Sequence, residues 1–214
     1  MFRNRIEAGI ELAAKLTKYK KQSAILLAVP RGGVPIAYAV AKELSLPVEL
    51  LLTKKIGHPM NKEFAIGAVS TNDYFITNPE DISEEYIKNE LNRIRKRLKE
   101  MKEKFKKNNE PTNLQDKIVI IIDDGIATGN TLLGTIHLLR KNKPNKIVIA
   151  VPVASKKGFN KLLKEVDEIV AIHIPEIFYG VGEFYESFEQ VSDEEVINYL
   201  NKIDELEKEK IYNN

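Results

Sequence analysis

Residues 119–131, VIIIDDGIATGNT, set two adjacent carboxylates, Asp123 and Asp124, at the end of an apolar run and follow them with a stretch of mostly small or polar residues. Carboxylates accept hydrogen bonds from vicinal hydroxyls. Small residues let backbone come close to an anion, and the unpaired N–H groups of a helix's first turn, at the positive end of its dipole, complete such a cradle. Thr128 and Thr131 add hydroxyl donors. A carboxylate pair beside an anion cradle suits a sugar phosphate. The spacing excludes two familiar phosphate loops. Gly125 and Gly129 are too close for G-x-x-x-x-G-K-[ST], no lysine follows, and no G-x-G-x-x-G follows the apolar run. A tight strand-to-helix turn with aspartates as caps is the alternative, but such a turn requires neither both acids nor the composition of residues 125–131.

A second candidate anion loop is Pro30-Arg31-Gly32-Gly33. It follows the apolar residues 24–29 and enters a helix at Val34-Pro35, where a first helical turn tolerates proline. Gly32 and Gly33 open the backbone, and the planar donor fork of Arg31 suits phosphate oxygens. Taken alone, the same tetrapeptide also reads as a plain turn with a surface arginine. A third candidate is the stretch TKKIGHPMNKE, residues 53–63, which reads as a mobile basic loop carrying Lys54 and Lys55. A solvated lysine pair explains those residues equally well. His58, His137 and His173 show no ligand spacing, and none is assigned to a metal.

These loops need elements to position them. The apolar runs 24–29, 48–53, 118–122, 147–151 and 168–172 are short and nearly continuous, as in strands buried on both faces. Helical patterns at 34–44, 131–141 and 155–166 follow strands at the spacing of βα units. The expectation is an α/β fold with a doubly wound, mostly parallel central sheet, whose carboxyl edge carries the acidic loop. A shorter strand is expected at 64–69, an amphipathic helix near 4–20, and a last helix from about Asp193, where Ser192 and Glu195 form a capping box. One segment departs from this plan. Between 83 and 105, Ile87, Leu91, Ile94, Leu98, Met101 and Phe105 recur at alternating steps of four and three among charged residues, a narrow heptad stripe. Such a helix either packs on its own domain or pairs with a second copy as a dimerisation arm.

The 214 residues, 43% of them hydrophobic, are enough for one sizeable core, so a single domain over 1–214 is expected. The 33 basic and 31 acidic residues nearly cancel, which removes the electrostatic case for a nucleic-acid partner. The absence of cysteine excludes disulfides and thiolate metal sites. No apolar run approaches the roughly 18 residues of a membrane span, so no membrane association is expected and the cytoplasm is the default location.

VIIIDDGIATGNT resembles the phosphoribosyl-pyrophosphate (PRPP) motif of type I phosphoribosyltransferases. The arrangement PRGGVPIAYAVAKEL, KKIGHPMNKEFAIGAVS, DDGIATGNT, VPVASKKG and IFYGVGEFYESFEQVSDEEV is similar, over nearly the whole chain, to predicted phosphoribosyltransferases of unsettled acceptor. The resemblance implies an inserted helix at 79–108 and a hood with a terminal helix at 174–214. It implies that Asp123 and Asp124 hold the ribose 2- and 3-hydroxyls, and that Ala127, Thr128, Gly129, Asn130 and Thr131 hold the 5-phosphate. Arg31, Gly32 and Gly33 would form the pyrophosphate loop, which in this family often contains a non-proline cis peptide. The loop of Lys54 and Lys55 would close over PRPP, a lysine neutralising the leaving pyrophosphate. Mg²⁺ would arrive with PRPP, near Asp123 and Asp124, without a direct set of protein ligands. Phe178, Tyr179, Phe184 and Tyr185, with Phe188 beside them, lie where a hood would supply the acceptor pocket; the same rings would serve equally as a cover of the core. No orotate or purine signature carries over. The implied reaction, of the kind used in nucleotide metabolism, is displacement of pyrophosphate from C1 of PRPP by a nitrogen acceptor. The alternative is a regulatory protein that senses PRPP or a nucleotide without turnover, since a fold does not settle a function; Lys54, Lys55 and a hood, which a sensor does not need, favour catalysis.

Overall fold

The computed structural model describes residues 1–62, 64–77, 81–105 and 112–212; Glu63 of the basic segment and parts of the inserted segment 79–108 lie outside the described residues. Among those described, the strands are β1 (Ala24–Ala28), β2 (Val48–Leu50), β3 (Thr53–Gly57), β4 (Ala65–Ser70), β5 (Tyr74–Ile76), β6 (Ile118–Ile122), β7 (Lys146–Val153) and β8 (Glu168–His173). The α-helices are α1 (Arg5–Lys15), α2 (Gly33–Leu44), α3 (Glu84–Lys104), α4 (Asn130–Arg140), α5 (Lys156–Leu162) and α6 (Asp193–Tyr212). No described helix is long and apolar enough to cross a membrane.

Strands with apolar residues at every position need cover on both faces, and the main sheet has it. Its order is β2-β1-β6-β7-β8, all neighbours parallel. Alternate residues of β6 serve the two sides. Ile118, Ile120 and Ile122 join Leu12, Val40 and Leu200 in a cluster with α1, α2 and α6, while Val119 and Ile121 join Leu132, Ile136 and Leu162 in a cluster with α4 and α5. Each fully buried isoleucine contributes roughly 1.5–3 kcal/mol, so this layered arrangement is the main source of stability. The capping box also forms: Ser192 N–H donates to Glu195 Oε2 at 2.7 Å, and Glu195 N–H to Ser192 Oγ at 3.1 Å.

The strand order decides where a ligand can sit. From β1 the chain winds through α2 to β2 on one side, and later returns to place β6 on the other, so the winding reverses between β1 and β6. Ala28 and Ile122, the last residues of those strands, are paired neighbours. The loops that follow them therefore emerge side by side at the carboxyl edge, in the crevice that open α/β sheets use for ligands.

A second, antiparallel sheet, β3-β4-β5, corrects the sequence reading at two places. Thr53, expected to end the strand 48–53, instead begins β3 in the other sheet. Lys54 and Lys55, expected in a mobile loop, lie on β3 opposite Val69 and Ala68 of β4. The physical reason is the apolar Ile56, fully buried with Ile66 and Val69, which anchors the segment as a strand. Helix α3 covers this sheet. Its Leu91, Ile94 and Leu98 pack on Ile56 and Val69, and farther along, Phe105 and Met101 reach the main core. The heptad stripe is thus engaged within the chain. Helix α5 ends at Leu162, short of the expected 166.

Candidate active site

The acidic pair leaves the end of β6 in two directions. Asp123 Oδ1 accepts the N–H of Asp124 at 2.9 Å. Burial, and then the charge of Asp124, push the Asp123 carboxyl well above the ordinary carboxylate range, against the smaller opposing pull of Arg5. Asp124 Oδ2 accepts from Arg5 Nε at 3.0 Å and Nη2 at 2.9 Å, and the two side chains are only 11% and 19% exposed. The Asp124 carbonyl accepts the Tyr185 hydroxyl at 2.8 Å.

The small-residue loop after the acids is pinned from beneath. Ile126 N–H donates to Val153 O at 2.9 Å, and Ser155 N–H donates to Ile126 O at 2.8 Å, a bridge onto the end of β7. The Ser155 hydroxyl donates to Ala127 O and accepts the N–H of Gly158, capping α5 at the same time. These bonds leave Ala127 and Thr128 exposed at the surface, above the point where Gly129, at φ 70°, admits the chain to α4. Asn130 and Thr131 open that helix, so its positive end faces the loop. The Lys161 ammonium donates to Asn130 Oδ1, which adds a cation to the cradle.

The companion loop follows β1. The Pro30–Arg31 peptide is cis, as the family resemblance implies. A Cβ on Gly32 would overlap Asp124 Oδ2 and lie 2.5 Å from Cγ; one on Gly33 would overlap the Ile122 carbonyl and lie 3.0 Å from Asp123 Cα. Only glycine lets the two loops come this close. Arg31 Nη1 lies 3.6 Å from Asp193 Oδ1, at the start of α6, and Asp193 also accepts from Lys104 at the end of α3. Lys54 is exposed at its surface, yet crowding around its ammonium, and then the charges of Arg97 and Arg31, lower its pKa. A cleft of about 470 Å³ opens between the loops and the C-terminal segment, lined among others by Arg5, Arg31, Gly32, Asp124, Val181 and Gln190.

The aromatic segment 178–188 is mostly committed to packing. Tyr185 is 5% exposed and sits in a small core with Phe2 and Ala8. Burial, and then the Asp124 charge, push its hydroxyl pKa up, so it remains a donor to the Asp124 carbonyl. As a cover of the core it has no free ring for an acceptor, which corrects its candidacy for the pocket. Phe188 packs against Tyr185, with ring centroids 4.9 Å apart, and the Arg5 guanidinium lies over the Phe188 ring at 4.0 Å. Phe178 and Phe184 stack on each other at 6.0 Å, and Tyr179 is 83% exposed. Arg5, Ser155 and Lys161 escape sequence reasoning. Arg5 and Lys161 read as ordinary charged positions of helices, and Ser155 as the first residue of the helical pattern 155–166.

Among the described residues no three His, Cys, Asp or Glu side chains converge as a metal site. The acidic groups at the end of β6 are Asp123 and Asp124, the latter already paired with Arg5. Two carboxylates fit a Mg²⁺ ion that keeps most of its oxygen ligands from phosphates and water.

The family described as the phosphoribosyl transferase domain matches residues 2–186. Over 94% of this chain, the sequence is 32% identical to Rv0571c of Mycobacterium tuberculosis H37Rv, a protein provisionally named a phosphoribosyl transferase; the match covers 47% of that protein, so the chain spans about half the length of the curated relatives it matches. The crystal structure of TT1426 from Thermus thermophilus superimposes with a TM-score of 0.86 at 32% identity, over 94% of this chain and 97% of that one. A shorter stretch of 54 residues, 25% of this chain and 26% of the other, is 44% identical to the uracil phosphoribosyltransferase of Mycoplasma genitalium.

Proposed function

The chain belongs to the phosphoribosyl transferase domain family, and from that premise we propose that it transfers the 5-phosphoribosyl group of PRPP to a small-molecule nitrogen acceptor, releasing pyrophosphate. The observation that carries the reading is the juxtaposition of two anion loops across the β1/β6 reversal, so close that Gly32 abuts the Asp124 carboxylate. In this reading Asp123 and Asp124 accept from the ribose 2- and 3-hydroxyls. The loop 127–131 and the positive end of α4 hold the 5-phosphate. Arg31 and the backbone of Gly32 and Gly33 hold the pyrophosphate, which places C1 between the loops.

The acceptor nitrogen forms its bond to C1 as the C1–O bond breaks, and the bonding pair leaves with pyrophosphate. Arg31 and Lys54 meet the charge that develops there, and such fixed charge stabilises the transition state where it is preorganised. A Mg²⁺ ion bound with PRPP supplies further positive charge to the phosphate oxygens. Val181, Val191 and Gln190 give the acceptor side of the cleft apolar walls with one amide. The test is a screen of nucleobases and other nitrogen acceptors with PRPP and Mg²⁺, monitoring pyrophosphate release. Release that depends on one acceptor supports the reading. Tight PRPP binding without turnover against any acceptor favours a sensing protein instead, and absence of PRPP binding sinks both.

A further inference from the structure

Arg5 is bonded through each nitrogen of its guanidinium. Nε and Nη2 donate to Asp124 Oδ2, at 3.0 and 2.9 Å, and Nη1 donates to the Glu189 carbonyl at 2.9 Å. The plane lies over the Phe188 ring at 4.0 Å. We propose that Arg5 is a positioning residue that ties Asp124 to the C-terminal hood and so decides which carboxylate oxygen meets the ribose. The proposal rests on the reading of Asp124 as a ribose ligand.

The N-terminal segment is built to deliver this side chain. Phe2 N–H donates to Phe184 O at 2.8 Å, Glu186 N–H to Phe2 O at 2.8 Å, and Ser187 N–H to Arg3 O at 3.0 Å, so the chain start lies along the hood segment. Asn4 then caps α1 by accepting from Ile6 and Glu7, and Arg5 leaves the first turn toward the cleft. An exposed ion pair contributes little, because solvent screens it and two long side chains must be ordered. This pair differs on both counts: the side chains are 11% and 19% exposed, and the guanidinium is already ordered by Phe188 and Glu189.

An aspartate carboxyl has a broad terminal torsion, and nothing intrinsic fixes which oxygen points where. With both Arg5 donors on Oδ2, and Gly32 packed against the same oxygen, the carboxylate has one orientation. Oδ1 is then the oxygen that Arg5 leaves to meet a ribose hydroxyl. The same strut joins the ribose end of the site to the segment that borders the acceptor side, through Glu189 and Phe188.

The test is a double-mutant cycle read by calorimetry with PRPP and Mg²⁺ on the full chain: parent, Arg5→Ala, Asp124→Asn and the pair, with melting temperatures as the check on folding. Loss of orientation at a ligand group predicts roughly tenfold or greater loss of PRPP affinity for Arg5→Ala in the parent. In the Asp124→Asn background the same change should cost less than about twofold, because the group it orients has been altered. Arg5→Lys, which keeps the charge but lacks the planar fork, should fall between parent and Arg5→Ala at an unchanged melting temperature, and it decides the matter if Arg5→Ala does not fold. Equal losses in both backgrounds, or a lysine variant that binds as the parent does, overturn the proposal. A parent that binds no PRPP overturns the functional reading itself, and the role of Arg5 with it.

Discussion

Replacing Gly32 by alanine separates ligand binding from folding at one atom. Gly32 has φ −62° and ψ −32°, a conformation open to any L-residue, so the substitution carries no backbone penalty. The added methyl would lie 2.5 Å from Asp124 Cγ, while carbon–carbon contacts are comfortable at about 3.5–4.0 Å, so the carboxyl must retreat by roughly 1 Å or more. It cannot do so and keep both Arg5 hydrogen bonds. Losing a charge-assisted pair of this kind costs about 1.5–3 kcal/mol, which in a domain of this size lowers the melting temperature by roughly 3–12 °C. The effect on PRPP should be larger, because the methyl enters the space between the two loops and turns the ribose ligand at once; a misplacement near 1 Å costs up to about 100-fold. Calorimetry with PRPP and Mg²⁺, beside a thermal melt, reads both. Gly33→Ala is the contrast: its methyl meets the backbone carbonyl of Ile122, which has no side-chain freedom to yield, so its larger loss should be in stability. A Gly32→Ala protein that binds PRPP within about threefold of the parent, a difference below 1 kcal/mol, would refute the close approach of the two loops as the basis of the site.

PRPP with Mg²⁺ at about 100-fold its dissociation constant should stabilise the fold by about 2.7 kcal/mol, roughly 5–10 °C in melting temperature; an unchanged melt at millimolar ligand counts against the reading. Lys54→Ala combined with Lys55→Ala should lower single-turnover rate by about 100-fold while PRPP affinity falls less, and equal losses in both would make the lysines ground-state binders. Far from the site, burial acts to raise Glu168, but hydrogen bonds from Lys146, Lys18 and Tyr19 outweigh it and hold its pKa at about 2, below the ordinary 4.5. A depressed carboxylate contributes stability above its unfolded pKa and loses it as pH falls, so the unfolding free energy from denaturant titrations should drop between about pH 4.5 and pH 2, by about 1 kcal/mol once solvent screening is allowed for. Glu168→Gln should remove that part of the acid sensitivity and leave the midpoint lower near neutrality.

The central sheet was legible because its signals are local. An apolar residue at every position of 118–122 can be buried only between two layers, and the capping box at Ser192 states a helix start within four residues. The acid pair and the small-residue loop were legible for the same reason, since the strand, the carboxylates and the helix start follow one another without interruption. At Lys54 local reasoning failed. Glycine, proline and paired lysines suggest a loop, and only the pairing with β4 and the burial of Ile56 under α3 make the segment a strand.

From the chain alone come the fold class, the two candidate anion loops and the charged helix with its apolar stripe, because periodicity and spacing act over one or two turns. Tertiary structure decided the rest. It set the stripe of α3 on the antiparallel sheet, committed Tyr185 to the Asp124 carbonyl, and put Gly32 against the Asp124 carboxylate. It also brought Arg5 to an aspartate 119 residues away, although nothing in the sequence around either residue marks the other. Local propensity acts through neighbours in the chain, whereas the partner of a side chain is chosen by which surfaces meet when the helices close over the sheet.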